Sequence, residues 1–170
     1  GDVPLVKRIV RHLLQHTTSL PSGGILTARR FLQLGISLGG SPSAFSSLHS
    51  LLASAFISDY DDEQNDLTIS FLKKMDSEQP FDDNPIYFLM HESIYADGTK
   101  HSTPTKWAAH HALEERVKSE IPSEFDYIKT AMSEDDSKPT MFFGEMVFPW
   151  MADGDYAELS GFGMQSLAHS

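Results

Sequence analysis

The chain has 170 residues, a formal net charge of −11 and no cysteine. This length predicts one domain with its own core, and the lack of cysteine excludes disulfide scaffolds, thiolate metal sites and a cysteine nucleophile. With 24 acidic against 13 basic side chains, a broad basic surface for nucleic acid is disfavoured. No apolar run reaches the ~18 residues of a membrane span, and the N-terminus has no signal-peptide layout. We expect a cytoplasmic protein.

The first part of the chain has a helical pattern. Apolar residues at three- and four-residue spacing predict a helix over Val3–His16, with Asp2 as its N-cap. Residues 20–24 (LPSGG) have the composition of a loop. A short helix follows, which Thr27 is expected to cap and Gly35 to end.

The next helix is expected to begin with Ser41 as N-cap and Pro42 at the first helical position. Its predicted apolar face consists of Phe45, Leu48, Leu51, Leu52, Ala55 and Phe56. The acidic run at 59–66 then predicts an exposed loop. A further helix is predicted over Thr68–Ser77.

The following region alternates between helices and breaks. Two prolines in 80–85 predict an interruption before the apolar run Ile86–Tyr95. Helices are predicted over Thr105–Ile121 and Glu124–Met132, and an exposed acidic loop over 133–139. The inner face of the first of these helices is predicted to hold Trp107, Ala108, His111, Leu113 and Val117.

The apolar segment Thr140–Met151 is interrupted by Gly144 and Pro149, and we interpret it as buried helix and turn. A final short helix is predicted over Tyr156–Leu167. No hairpin turn signature is present, so the succession of helices and loops predicts an all-α fold in one domain, 1–170.

One motif matches a catalytic pattern. Ser37 lies in GISLG, which fits the G-x-S-x-G nucleophile elbow of α/β-hydrolases. That elbow needs a strand before the serine and a helix directly after it, whereas the preceding residues have a helical pattern. We therefore favour a helix connection whose glycines allow sharp turning and close packing, and the serine nucleophile is the alternative.

His110 and His111 stand four residues before Glu114 and Glu115. Such pairs can bind a metal ion, but two ligands do not make a site, and a solvated helix face is the favoured interpretation. We expect no metal site and no cofactor.

Two acidic residues lie within runs of large apolar residues: Glu92 follows 86–91, and Glu145 lies within 142–150. Acidic side chains are almost never fully buried without a partner. In one interpretation each caps a helix or pairs with Arg or Lys. In the other, both carboxylates line a pocket that binds an ammonium group, and nearby aromatic residues form an apolar slot.

Four strings resemble one family: LPSGGILTARRFLQLGISLGGS (20–41), QPFDDNPIYFLMHESIY (79–95), TKWAAH (105–110) and FFGEMVFPWM (142–151). The family is the larger form of proline iminopeptidase (prolyl aminopeptidase), a serine peptidase of the α/β-hydrolase fold. In that family such segments form a helical cap (lid) domain, with the serine elbow upstream and the acid and histidine of the triad downstream. The resemblance therefore implies a cap without the catalytic α/β core, and it argues further against Ser37 as a nucleophile.

By the same resemblance, acidic cap residues hold the free α-amino group of the substrate, and Glu92 and Glu145 match them. Tyr95, Phe148 and Trp150 would supply aromatic walls for the proline ring. The implied partners are a peptide with a free N-terminal proline and the catalytic domain of the same parent protein, with neither nucleic acid nor membrane. The isolated chain is expected to be inactive. The alternative is a free-standing helical interaction module with no catalytic activity.

Overall fold

The computed structural model describes residues 1–57, 66–91, 107–119 and 125–151. Within these ranges its α-helices are α1 (Val3–Gln15), α2 (Ala28–Leu32), α3 (Ala44–Leu52), α4 (Ile69–Ser77), α5 (Pro80–Asp83), α6 (Pro85–His91), α7 (Ala108–Lys118) and α8 (Tyr127–Met132). A 3-10 helix spans Gln33–Ser37, and two short strands are β1 (Thr18–Ser19) and β2 (Ile25–Leu26). The all-α fold class is confirmed, apart from this small sheet. None of the described helices, the longest of 13 residues, has the length and apolarity of a membrane span.

The core lies where α1 packs against α2 and α8. The apolar face predicted for α1 is buried, as are Phe31 of α2 and Ala131 of α8. Farther along the chain, the ring of Phe88 in α6 packs against Phe81 and Trp107. One apolar core therefore connects the N-terminal helices with the C-terminal part of the described chain.

The sheet corrects the expectation that the chain has no hairpin. Thr18 lies opposite Leu26, and Ser19 opposite Ile25, in antiparallel pairing. The residues predicted as a loop, 20–24, form the connection, in which Leu20 N–H donates to the Gly24 carbonyl (2.7 Å). The sequence lacked a hairpin signal because that signal is strongest for two-residue turns, and this connection is longer.

Helix starts agree with the sequence where a side chain makes the capping bond. Thr27 Oγ1 accepts a hydrogen bond from Arg30 N–H (3.2 Å), and Thr68 Oγ1 accepts one from Phe71 N–H (3.0 Å). Asp2 occupies the N-cap position of α1, but its side chain makes no capping bond. Its Oδ1 lies instead 2.8 Å from Nδ1 of His49 on α3, so a tertiary contact replaces the local one.

The start predicted for α3 is wrong by two residues. Residues 41–44 form a turn in which Ala44 N–H donates to the Ser41 carbonyl (3.1 Å), and Ser43 is the N-cap. Leu51 and Leu52 of the predicted apolar face are buried, whereas Phe45 is 66% exposed.

Two further expectations need correction. The predicted interruption at 80–85 contains the short helix α5. On α7, Ala108 and His111 are exposed rather than on the inner face. The helix predicted over Tyr156–Leu167, and the acidic run 59–66 apart from its last residue, lie outside the described residues.

A buried lysine holds the segment 133–139 in place. Lys7 on α1 is 1% exposed, and its Nζ donates to the carbonyls of Ser133 (3.0 Å) and Asp135 (2.8 Å). The Asp136 carboxylate lies 3.5 Å away. Burial of this ammonium group is tolerable because it is hydrogen-bonded and paired.

The prediction of helix within Thr140–Met151 is wrong. The segment is irregular up to a turn at its end, where Met151 N–H donates to the Phe148 carbonyl (3.1 Å). It nevertheless buries four large apolar side chains, those of Phe143, Val147, Phe148 and Met151. Their burial replaces the support that regular hydrogen bonding would give, and this segment carries the candidate site.

Candidate functional site

The structure describes three of the five residues predicted to bind substrate. Glu145, Phe148 and Trp150 lie together in the segment 140–151, whereas Glu92 and Tyr95 lie outside the described residues. Segment 140–151 thus carries the part of the predicted site that lies within the described residues.

This segment is joined to the end of α2 by backbone contacts. Phe143 N–H donates to the Leu32 carbonyl (3.0 Å), and the ring of Phe142 packs against Phe31 with centroids 5.5 Å apart. A Cβ atom at Gly35 would overlap the Phe143 carbonyl. Of the glycines in the GISLG motif, Gly35 thus serves the close packing that the sequence predicted.

Gly35→Ala is expected to lower the free energy of unfolding by about 1–3 kcal/mol, because the added methyl group forces the two backbones apart. Urea unfolding of the chain measures this. Gly39→Ala is the matched control, since no atom lies within 4 Å of a Cβ built there. Equal stability of the two variants would contradict the packing role of Gly35.

An aromatic cluster surrounds the end of the segment. Its members are Phe143, Phe148, Trp150, Tyr127 and His110. The rings of Phe148 and Trp150 stack with centroids 4.4 Å apart and planes 12° apart, and Phe143 lies 5.2 and 5.5 Å from them. The ring of Tyr127 lies edge-on to Phe143, with centroids 6.4 Å apart. The ring of His110 lies edge-on to Trp150, with centroids 5.4 Å apart. Because Phe148 is only 5% exposed, it supports Trp150 from beneath.

Arg29 covers the indole of this cluster. Its guanidinium carbon lies 4.8 Å from the Trp150 ring centre, and its Nε donates to the Tyr127 hydroxyl (3.2 Å). Arg29 is exposed, whereas the next residue, Arg30, is fully buried. Sequence reasoning missed Arg29. One signal was available: Arg29 and Arg30 are adjacent on a short helix, and adjacent helix residues point in different directions. The pair therefore indicated that the two arginines have different surroundings.

Two polar atoms of the cluster are buried without a hydrogen-bond partner in the described residues: Trp150 Nε1 and His110 Nδ1. The other ring nitrogen of His110 lies 3.5 Å from Oε1 of Glu114. Burial lowers the pKa of His110, and the Glu114 carboxylate opposes this shift. The lowered pKa favours the neutral form of the imidazole.

Glu145 lies on the surface between buried neighbours. Its side chain is exposed, as are those of Gly144 and Met146, while Phe143 and Val147 on either side are buried. In the described part of the chain it makes no helix cap and no ion pair. The carboxylate is thus available to a cation that approaches from outside, on a segment fixed at both ends.

Ser37 lies in a setting different from a nucleophile elbow. It ends the 3-10 helix, and its Oγ donates to the Leu34 carbonyl (2.9 Å). It lines an open cleft of about 630 Å³ together with other serines and Lys74, and no histidine is among the lining residues described. Without the strand–turn–helix geometry or an adjacent base, the arrangement of the described residues does not activate this hydroxyl.

No group of three or more His, Asp or Glu side chains in the described residues is placed to hold a metal ion. His110 and Glu114 form a pair on α7, as their spacing predicted, while His111 is exposed. The charged groups near the cluster are therefore available for hydrogen bonding and ion pairing.

Comparison with known proteins agrees with the resemblance. The chain is 36% identical, over 147 residues, to a curated proline iminopeptidase of Aeromonas sobria. The match takes 86% of this chain but 29% of the relative, so the chain spans less than a third of that protein. No family model matches the sequence.

Proposed function

We propose that this chain is the substrate-binding cap domain of a serine aminopeptidase that releases N-terminal proline from peptides. The observation that carries the proposal is the 36% identity to part of a proline iminopeptidase, over most of this chain. The mostly helical fold agrees with a cap. In this proposal the catalytic serine, acid and histidine belong to an α/β-hydrolase domain outside these residues, and a cytoplasmic location stays a prediction.

Glu145 would bind the protonated amine of the N-terminal proline. An exposed carboxylate on an anchored segment suits this role, because among the described residues it has no ion pair that must be broken. A cationic amine and a carboxylate form a charge-assisted hydrogen bond. Trp150 would lie beside the proline ring, supported by the buried Phe148. Glu92 and Tyr95 complete the proposed site.

The amine contact would act on the rate by positioning. A serine that attacks the first peptide bond requires the carbonyl at a fixed distance and angle, and a substrate held at its amine presents that bond in one place. Anchoring on both sides of Glu145, through Phe143 and Val147, limits the positions that its carboxylate can take.

The intact protein that contains this chain is expected to release p-nitroaniline from proline p-nitroanilide, and the 170-residue chain alone is not. The N-acetylated anilide should be a poor substrate, because it has no cationic amine. Release is followed by absorbance at equal protein concentrations. An intact protein that is inactive on the free-amine substrate, or equally active on both, would overturn the proposal.

The interaction-module alternative makes a different prediction about association. Ile86 and Tyr87 on α6 are 74% and 57% exposed, and Ile128 and Met132 on α8 are about half exposed. A cap separated from its catalytic domain should associate through such side chains. A self-sufficient module should be monodisperse, and sedimentation of the isolated chain distinguishes the two.

A further inference from the structure

Two contacts orient the Arg29 guanidinium without using the N–H groups of its two outer nitrogens. Stacking on Trp150 and the bond from Nε to Tyr127 fix its plane. Neither of its outer nitrogens makes a hydrogen bond or ion pair with the described residues. By contrast, Arg30 uses its outer nitrogens on the Ile25 carbonyl and on Asp82. As far as the described residues go, the outer nitrogens of this oriented guanidinium are therefore available for an external anion.

The surroundings of Arg29 also contain unused hydrogen-bonding capacity. Trp150 Nε1 and His110 Nδ1 are buried, and the described residues provide them with no partner. Buried polar groups without partners are rare in folded proteins. The guanidinium fork and the indole N–H are donors, which suits a ligand with carboxylate oxygens. Nδ1 of His110 is an acceptor when Nε2 carries the proton toward Glu114, so it does not contribute a donor.

The number of residues between Glu145 and Trp150 limits how far apart the two proposed binding groups can lie. Glu145 precedes Trp150 by five residues, and an extended chain of that length spans at most about 18 Å. The indole that Arg29 covers therefore lies within that distance of the proposed amine-binding residue. The ends of an extended tripeptide are about 10 Å apart. One peptide of a few residues can thus contact both groups.

We infer that Arg29 is a specificity-determining residue that binds the free C-terminal carboxylate of a short peptide whose N-terminal proline is held at Glu145. This inference rests on the proposed function. Guanidinium and carboxylate pair through two parallel N–H···O bonds, which lysine cannot reproduce. The contact selects for peptides that are short and carry a free carboxylate.

Three substrates distinguish a loss of carboxylate binding from a loss of peptide-bond cleavage. They are Pro-Gly-Gly, its C-terminal amide, and proline p-nitroanilide. In the intact protein, Arg29→Gln is expected to raise KM for the free acid about tenfold or more, because a charge-assisted contact is lost. For the other two substrates kcat/KM should fall much less than for the free acid, because neither carries the carboxylate that Arg29 binds, and any loss through the Trp150 contact is common to all three substrates. Arg29→Lys should recover part of the loss. The matched control is Arg116→Gln, at an exposed arginine on α7.

The other possible kinetic results overturn either the inference about Arg29 alone or the proposed function as well. An equal loss on all three substrates would assign Arg29 to folding or to domain docking and would overturn the inference. Unchanged KM for the free acid would overturn it as well. If the wild-type protein cleaves the anilide but does not distinguish the acid from the amide, the inference fails alone. If it cleaves none of the three, the proposed function fails and the inference with it.

Discussion

Glu145→Gln in the intact protein is expected to lower kcat/KM for proline p-nitroanilide by about 30- to 1,000-fold. The substitution keeps the shape of the side chain and removes its charge, so the substrate amine loses an ionic partner within a closed complex. Removing one member of such a pair costs about 2–4 kcal/mol, and about 1.4 kcal/mol corresponds to tenfold. Steady-state kinetics on the purified variant measures the loss.

Control variants test whether the loss of activity is specific to the charge of Glu145. Glu134→Gln changes an exposed acid in the segment 133–139 and should leave the activity unchanged. Ser37→Ala should also be neutral, since its hydroxyl is bonded to the Leu34 carbonyl of its own helix. Glu92→Gln is expected to resemble Glu145→Gln. Near-wild-type turnover of both glutamine variants would rule out the proposed binding of the amine by these two residues.

Arg30→Gln is expected to reduce the free energy of unfolding by about 3 kcal/mol. The Arg30 side chain is fully buried, donates to the Ile25 carbonyl (2.9 Å) and pairs with Asp82, whose side chain is 26% exposed. Breaking a buried pair by removing one partner costs about 3–5 kcal/mol, and the exposure of Asp82 places this case at the lower end. Urea unfolding of the chain gives the value.

Arg29→Gln is the matched control for this stability measurement, because the two arginines are adjacent and differ in burial. Arg29→Gln should lower the free energy of unfolding by less than about 1 kcal/mol, since the Arg29 side chain is exposed and contributes one stacking contact and one hydrogen bond. If the two variants unfold at the same urea concentration, the Arg30 pair does not have the stabilising role assigned to it.

The helices were predictable wherever local signals agreed. Apolar spacing placed α1 and α4 to within a residue at each end, and the capping side chains of Thr27 and Thr68 marked helix starts. The start of α3 was misplaced because Ser41 and Pro42 form a turn that resembles a helix start in sequence.

The sequence proposed residues for the candidate site but not their arrangement, and the binding role of those residues stays a prediction. Glu145 and Trp150 were identified from an unusual acid within an apolar run and from a family resemblance. Arg29 was not, because a pair of adjacent arginines does not by itself show which of the two is exposed. The contacts of Arg29 are with Trp150 and Tyr127, which lie far from it in the chain.

The sequence by itself determined the helical class, most helix positions and the likeness to a proline iminopeptidase, because helix periodicity, capping and motif strings are properties of neighbouring residues. The tertiary structure alone decided that segment 140–151 is irregular, that Glu145 is exposed, and that Arg29 covers Trp150. These features depend on contacts between distant residues, such as the bond from Phe143 N–H to the Leu32 carbonyl and the close approach at Gly35. Burial of the four apolar side chains of that segment stabilises it without regular secondary structure, since tertiary packing commonly overrides local preference.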